Sequence, residues 1–222
     1  MVYITGDTHG DITRFTTGAA RRLKKGDTLL VCGDFGFLWN DSTEERRKLA
    51  KLKKLRYTIA FVDGAHENFA LLNAYPTEEW QGGNTQRIAD NIRHLLRGEL
   101  YTIEGATYFT FGGGVSAEGD LRVDTADQLA SEYAMPTQQE LETGLKRLED
   151  ADNTVDYIIT HQPSGKASGY FDASATMNGL HAYFNLLEEQ VDYRCWFFGS
   201  LHVDKKFSHR HCALFSSLTL IS

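Results

Sequence analysis

Short apolar, β-branched runs alternate with longer amphipathic stretches along most of this chain. The runs at Val2–Thr5, 28–32, 58–62, 107–111, 156–160 and Cys195–Phe198 are too brief for helices. They read as strands covered on both faces. Several gaps between them carry helical spacing. Residues 12–25 end in a basic turn before Gly26, a helix stop. Residues 43–55 set Leu49, Leu52 and Leu55 on one side against many charges. Residues 67–74 stop before Pro76. Thr137 with Glu140 forms a capping-box pattern that opens a helix to about residue 149, with Leu141, Leu145 and Leu148 inward. Residues 178–190 carry Leu180, Phe184 and Leu187. Strands and helices in alternation predict a layered α/β domain. The pattern then changes: 205–207 and 212–221 read as adjacent antiparallel strands, and 100–103 with 106–111 as a hairpin around Glu104-Gly105. The expected sheets are therefore mixed.

A length of 222 residues sets the expectation of a single domain, 1–222, and 41% hydrophobic residues suffice for a real core. No apolar run approaches the ~18–20 residues of a membrane span. The first residues enter a strand pattern directly, without a basic segment or cleavage site, so no signal peptide is expected. Cys32, Cys195 and Cys212 are an odd set without close spacing, which fits reduced thiols and a cytoplasmic setting. A net charge of −7 argues against a general nucleic-acid or membrane-surface binder. A phosphorylated substrate stays compatible with it if metal ions supply local positive charge.

Candidate chemistry sits in five segments: Gly6-Asp7-Thr8-His9-Gly10, Gly33-Asp34-Phe35-Gly36, Gly64-Ala65-His66-Glu67, Thr160-His161 and Gly199-Ser200-Leu201-His202. Most follow an apolar strand run. Alone, each also suits ordinary turn chemistry or a hydrogen-bonded structural histidine. In series, they place Asp and His at the carboxyl ends of strands, where ligands gather in α/β folds. Asp and His without Cys select divalent transition metals such as Mn, Fe, Co, Ni or Zn. The Gly-rich stretch 112–134 reads as a long functional loop. His94, His181, His209 and His211 stand outside these segments. His181 reads as a surface or half-buried residue, and His209 with His211 as a solvent-facing pair. Tyr170 and Phe171 suit either a dimer contact or a pocket wall.

The five segments resemble the calcineurin-like metallophosphoesterases, whose pattern runs Asp-x-His, Gly-Asp, Gly-Asn-His-Asp/Glu, His, Gly-His-x-His. The resemblance implies a four-layer αββα sandwich with two mixed β-sheets and a two-metal site. It implies Asp7, His9, Asp34 and His202 as first-metal ligands, with Asp34 bridging, and Asp34 with His161 at the second metal. It makes His66 the residue that meets the phosphate and protonates the leaving group after attack by a metal-activated hydroxide. Glu67 and Asp63 stand close enough in sequence to orient His66, although Asp63 equally suits a turn. The segment from Gly112-Gly113-Gly114 to Arg122 resembles a substrate-side loop of a bacterial and phage-like branch. There Arg122 either contacts phosphate or pairs with Asp120 or Glu118. The protein phosphatase branch fits poorly, because Gly36-Phe37-Leu38 replaces its Asp-Arg-Gly continuation.

Two positions depart from the pattern. Ala65 stands where the family has Asn, and Ser200 where it has His. Both missing groups belong to the second metal, leaving Asp34 and His161 with whatever water, Asn68 or Gln162 adds. One firm metal and a weak or empty second site are expected. The implied activity is hydrolysis of a phosphodiester or small phosphorylated metabolite. The alternative is a degenerate metal- and phosphate-binding module with little turnover.

Overall fold

The computed structural model describes residues 1–115, 133–172 and 176–221. Two sheets lie face to face. The first contains β1 (Val2–Thr5), β2 (Thr28–Val31), β3 (Thr58–Phe61), β4 (Thr77–Trp80), β5 (Gly83–Ala89), β6 (Ile92–Leu95) and β13 (Thr219–Leu220), in the order β13-β1-β2-β3-β6-β5-β4. The second contains β7 (Glu99–Ile103), β8 (Ala106–Phe111), β9 (Tyr157–Thr160), β10 (Cys195–Phe198), β11 (Lys205–Lys206) and β12 (His211–Ala213), in the order β11-β12-β10-β9-β8-β7. β1, β2, β3 and β6 run parallel, as do β8, β9, β10 and β12, and antiparallel strands close each edge.

Side-chain alternation along the strands makes the layers. Val2, Ile4, Leu30, Ala60 and Val62 face Tyr101, Ile103, Tyr108, Ile159 and Phe197 between the sheets. Leu29, Val31, Ile59 and Phe61 point the other way. They meet Phe15 of α1 (Thr13–Thr16), Leu49 and Leu52 of α2 (Thr43–Leu52), and Phe69 and Leu72 of α3 (Phe69–Leu72). Behind the second sheet, Phe109, Phe111, Ile158, Trp196 and Phe198 meet Leu148 of α4 (Gln138–Asp150) and Leu180, Phe184 and Leu187 of α6 (Gly179–Gln190). This is the expected αββα order. Among the described residues no helix is long and apolar enough to cross a membrane.

The differences from the sequence reading have physical causes. The helix expected over 12–25 is only α1 and a 3-10 turn at Ala20–Arg22. Thr17 is extended and Gly18 takes φ 54, while the Thr16 and Thr17 hydroxyls bond back to the carbonyls of Ile12 and Thr13. The strand expected over 212–221 stops at Ala213 and resumes as β13 in the other sheet. The Asp204 carboxylate forces this bend by accepting from the backbone of Phe215, Ser216 and Ser217 and from both serine hydroxyls. Strands β4 to β6 escape the apolar pattern because polar residues fill them. Arg93 and His94 are buried on β6, paired with Glu78 and Asp63. The helix α5 (Gly165–Phe171) holds two glycines and a serine, and depends on its Ser164 cap.

His181 is buried, not at the surface, and closes a capping box with Asn178. His211 is not a solvent-facing partner of His209: it pairs with Glu188 at 3.0 Å and stacks on Phe207. All three cysteines are free, with Cys32 buried between the sheets.

A buried charge pair joins the end of β3 to the end of β6. Asp63 accepts from Arg97 Nε at 3.0 Å and Nη2 at 2.6 Å, and faces His94 Nε2 at 3.1 Å. Burial opposes the Asp63 charge, but Arg97 and His94 outweigh it and hold the carboxyl well below its usual range. Its folded pKa being depressed, the stabilisation is complete above about pH 3.9 and is lost as the pH falls further. Arg97→Met strands this carboxylate and should cost about 3–5 kcal/mol in urea unfolding at neutral pH. The double variant Asp63→Asn/Arg97→Met should lose clearly less; equal losses would mean the pair itself is not the source.

Candidate functional site

Every parallel strand that reaches the site delivers its chemistry just past its carboxyl end. β1 leads to Asp7 and His9, β2 to Asp34, β3 to His66, β9 to His161 and β10 to His202. Glycines let these side chains lie against the neighbouring backbone. A Cβ on Gly199 would sit 2.0 Å from Asp7 Oδ1, one on Gly64 2.0 Å from Asp34 Oδ1, and one on Gly33 2.4 Å from the His161 ring. His9, Asp34 and His202 themselves take left-handed backbone, at φ 45, 38 and 49. Such conformations cost energy for non-glycine residues and persist where surrounding bonds enforce them. Here Thr8 and His9 both donate to the Asp34 carbonyl.

The side chains converge tightly. His9 Nε2 and His202 Nε2 are 3.0 Å apart, and His202 Nε2 is 3.2 Å from Asp7 Oδ2. His161 Nε2 lies 3.3 Å from Asp7 Oδ2 and 3.7 Å from Asp34 Oδ2. His66 Nδ1 is 2.8 Å from Asp34 Oδ2, and the His66 backbone N–H donates to Asp34 Oδ1 at 2.8 Å. Three groupings bring their ligand atoms within 4.8 Å: Asp7/His9/His202, Asp7/Asp34/His161 and His9/Asp34/His66. The carboxylates and His161 form a buried floor, and exposed His9 and His202 with half-buried His66 form the rim.

Electrostatics at this floor call for a cation. Asp7 Oδ1 is buried and has no hydrogen-bond partner. A buried carboxylate oxygen is costly unless a hydrogen-bond donor, a water or a cation meets it, and a cation is one group that would do so here. Burial works against charge on Asp34, yet His161 and His66 hold its carboxyl low. Burial likewise opposes a charged His161, but Asp34 and Asp7 raise its pKa to about 10. Burial lowers the pKa of His9, whereas the hydrogen bond to Asp7 raises that of His202. Two acidic oxygen donors facing imidazole nitrogens, with no thiolate, fit a divalent transition metal.

The residues around this floor take roles that the sequence left open or misjudged. Among the described residues Asp34 is the carboxylate that meets His66, while Asp63 and Glu67 are engaged elsewhere. Asp63 belongs to the His94–Arg97 pair. Glu67 is fully buried and accepts from the Phe35 N–H at 2.6 Å. Burial, then the nearby Asp34 charge, push its pKa well up. Asn68 is spent on capping α3 and on the Trp39 carbonyl. Gln162 donates to the Val115 carbonyl and accepts from Asn178. Neither amide is aimed as a metal ligand. Arg122, expected near phosphate, lies outside the described residues. Sequence reading left His94 without a role and did not single out Arg97, which lies two residues past β6.

No curated protein matches this chain. Among solved structures it is similar to the crystal structure of phosphopantetheinyl hydrolase (PptH) from Mycobacterium tuberculosis, at 14% identity and a TM-score of 0.44, covering 96% of this chain and 87% of that one. The calcineurin-like phosphoesterase family matches residues 1–204, a span that contains all five segments. With that match over most of its length, the chain belongs to the calcineurin-like phosphoesterase family.

Proposed function

We propose that this chain is a metal-dependent hydrolase of a phosphodiester or small phosphorylated metabolite, with one firmly held cation and a second held weakly or not at all. The observation that carries this reading is the bare, buried Asp7 Oδ1 beside converging imidazoles. Asp7, His9, Asp34 and His202 would hold the first cation, and Asp34 with His161 the second. A divalent cation there supplies Lewis acidity and positive charge toward a phosphoryl group, and lowers the pKa of water.

The chain's own residues do the rest. His66 stands at the rim, and Asp34 holds its Nδ1, which fixes the ring plane and favours a proton on that nitrogen. As an imidazolium, with a second proton on Nε2, His66 has that nitrogen placed to give its proton to a departing alkoxide oxygen and return to the neutral ring. Asp7, Asp34 and His161 are sealed below. A small substrate fits the absence of the Asp-Arg-Gly continuation after Asp34. A cytoplasmic location accords with three free thiols.

Ala65 and Ser200 favour a second reading, a metal- and phosphate-binding module with little turnover. A methyl cannot ligate a cation, and a neutral hydroxyl is a weak substitute for imidazole.

Two measurements test these readings. Hydrolysis of an aryl phosphodiester with manganese is compared between this chain and Ala65→Asn/Ser200→His. Loss of outer-shell partners costs metal sites about 10–100-fold, so restored ligands should raise turnover at least tenfold. Equal rates would contradict an impaired second site. The second measurement replaces His66 with Ala. A general acid contributes roughly 10²–10⁴-fold, so kcat should fall by that factor for an alkyl ester and far less for a nitrophenyl ester. A uniform loss across leaving groups would remove the proton-donor role.

A further inference from the structure

Behind the exposed ring of His202 lies a brace that none of the five segments contains. The Phe215 ring sits 4.9 Å from the His202 ring, at 30° between planes. The Arg14 guanidinium lies 5.6 Å over the same Phe215 ring. Its nitrogens donate to the Asp7 carbonyl at 3.0 Å, to Thr5 Oγ1 at 2.6 Å and to the Phe215 carbonyl. The turn that presents Phe215 is held from the other side by Asp204, which accepts from the backbone N–H groups of Phe215 and Ser217. One guanidinium thus ties the backbone of Asp7 to the backbone and ring of the residue that His202 leans on.

We infer that Arg14 and Phe215 are positioning residues for the first cation site, acting through Asp7 and His202. The inference rests on the proposed assignment of those two residues as ligands. His202 is on a left-handed loop and its side chain is 42% exposed, so its ring needs an external surface to settle its plane. Phe215 supplies that surface, and Arg14 locks it in register with Asp7. Presetting a ligand's orientation removes an ordering cost that cation binding otherwise meets. A lysine at position 14 lacks the planar fork that reaches two carbonyls and a hydroxyl at once.

The test is calorimetric titration of the full chain with manganese alone, alongside thermal unfolding of the metal-free protein. Phe215→Leu and Arg14→Lys should each weaken manganese affinity about tenfold, while Phe215→Tyr, which keeps the ring, should stay within about twofold. The metal-free melting temperatures of Phe215→Leu and Phe215→Tyr should differ little. Unchanged affinity in Phe215→Leu overturns the inference, and so does an equal loss in Phe215→Tyr. If Phe215→Leu does not fold, Arg14→Lys against Phe215→Tyr decides it by the same affinities. Wild-type protein that binds manganese but hydrolyses no phosphoester sinks the proposed activity and leaves the brace to be judged on affinity. Normal hydrolysis with unaltered affinity in the variants does the reverse.

Discussion

Two carboxylates held almost out of reach of water organise this molecule. Asp7 and Asp34 stand at the ends of neighbouring parallel strands, and their charges must be balanced within a few ångströms. His161, from the facing sheet, supplies part of that balance. The two sheets therefore meet at this end through charge, while between their strands they meet through Val2, Ile4, Ile159 and Phe197. Glycine at 33, 64 and 199 is the steric condition for it, since any side chain there would enter the space of an acid or a ring. Left-handed backbone at His9, Asp34 and His202 is the conformational condition.

Much of this was legible in the residues. The parallel strands that carry the site are apolar because both faces are covered, and apolar runs are what periodicity detects. The pairing of glycine with Asp or His at each strand end was equally visible, and the structure brings Asp7, His9, Asp34, His66, His161 and His202 together. What escaped was the chemistry of compensated polarity. β6 reads Ile-Arg-His-Leu, and nothing local reveals that Arg93 and His94 are buried against Glu78 and Asp63. The bend between β12 and β13 escaped for the same reason, because its cause, Asp204, lies well upstream in sequence. Long-range hydrogen bonds to a carboxylate leave no periodic trace.

Ala65 and Ser200 acquire meaning from the surrounding scaffold. Gly64, Ala65's neighbour, still packs against Asp34, and the Ser200 backbone still donates to the His161 carbonyl. The frame of the loops is therefore intact where the side chains differ. On the proposed reading, the framework would accept Asn at 65 and His at 200.

The crossing of the chain from β12 to β13 has a consequence for how the protein is made. β1 leaves the ribosome long before residues 219–220, which pair one of its edges. Until those residues emerge, β1 presents unpaired backbone groups, the kind of edge that recruits other chains. The same delay holds His202 and Phe215 away from Asp7. Contacts of such sequence separation form slowly, because the loop between them must close first. Assembly of the site thus waits on distant segments, and the nascent chain carries Asp7 and Asp34 without these partners until His161 and His202 have emerged.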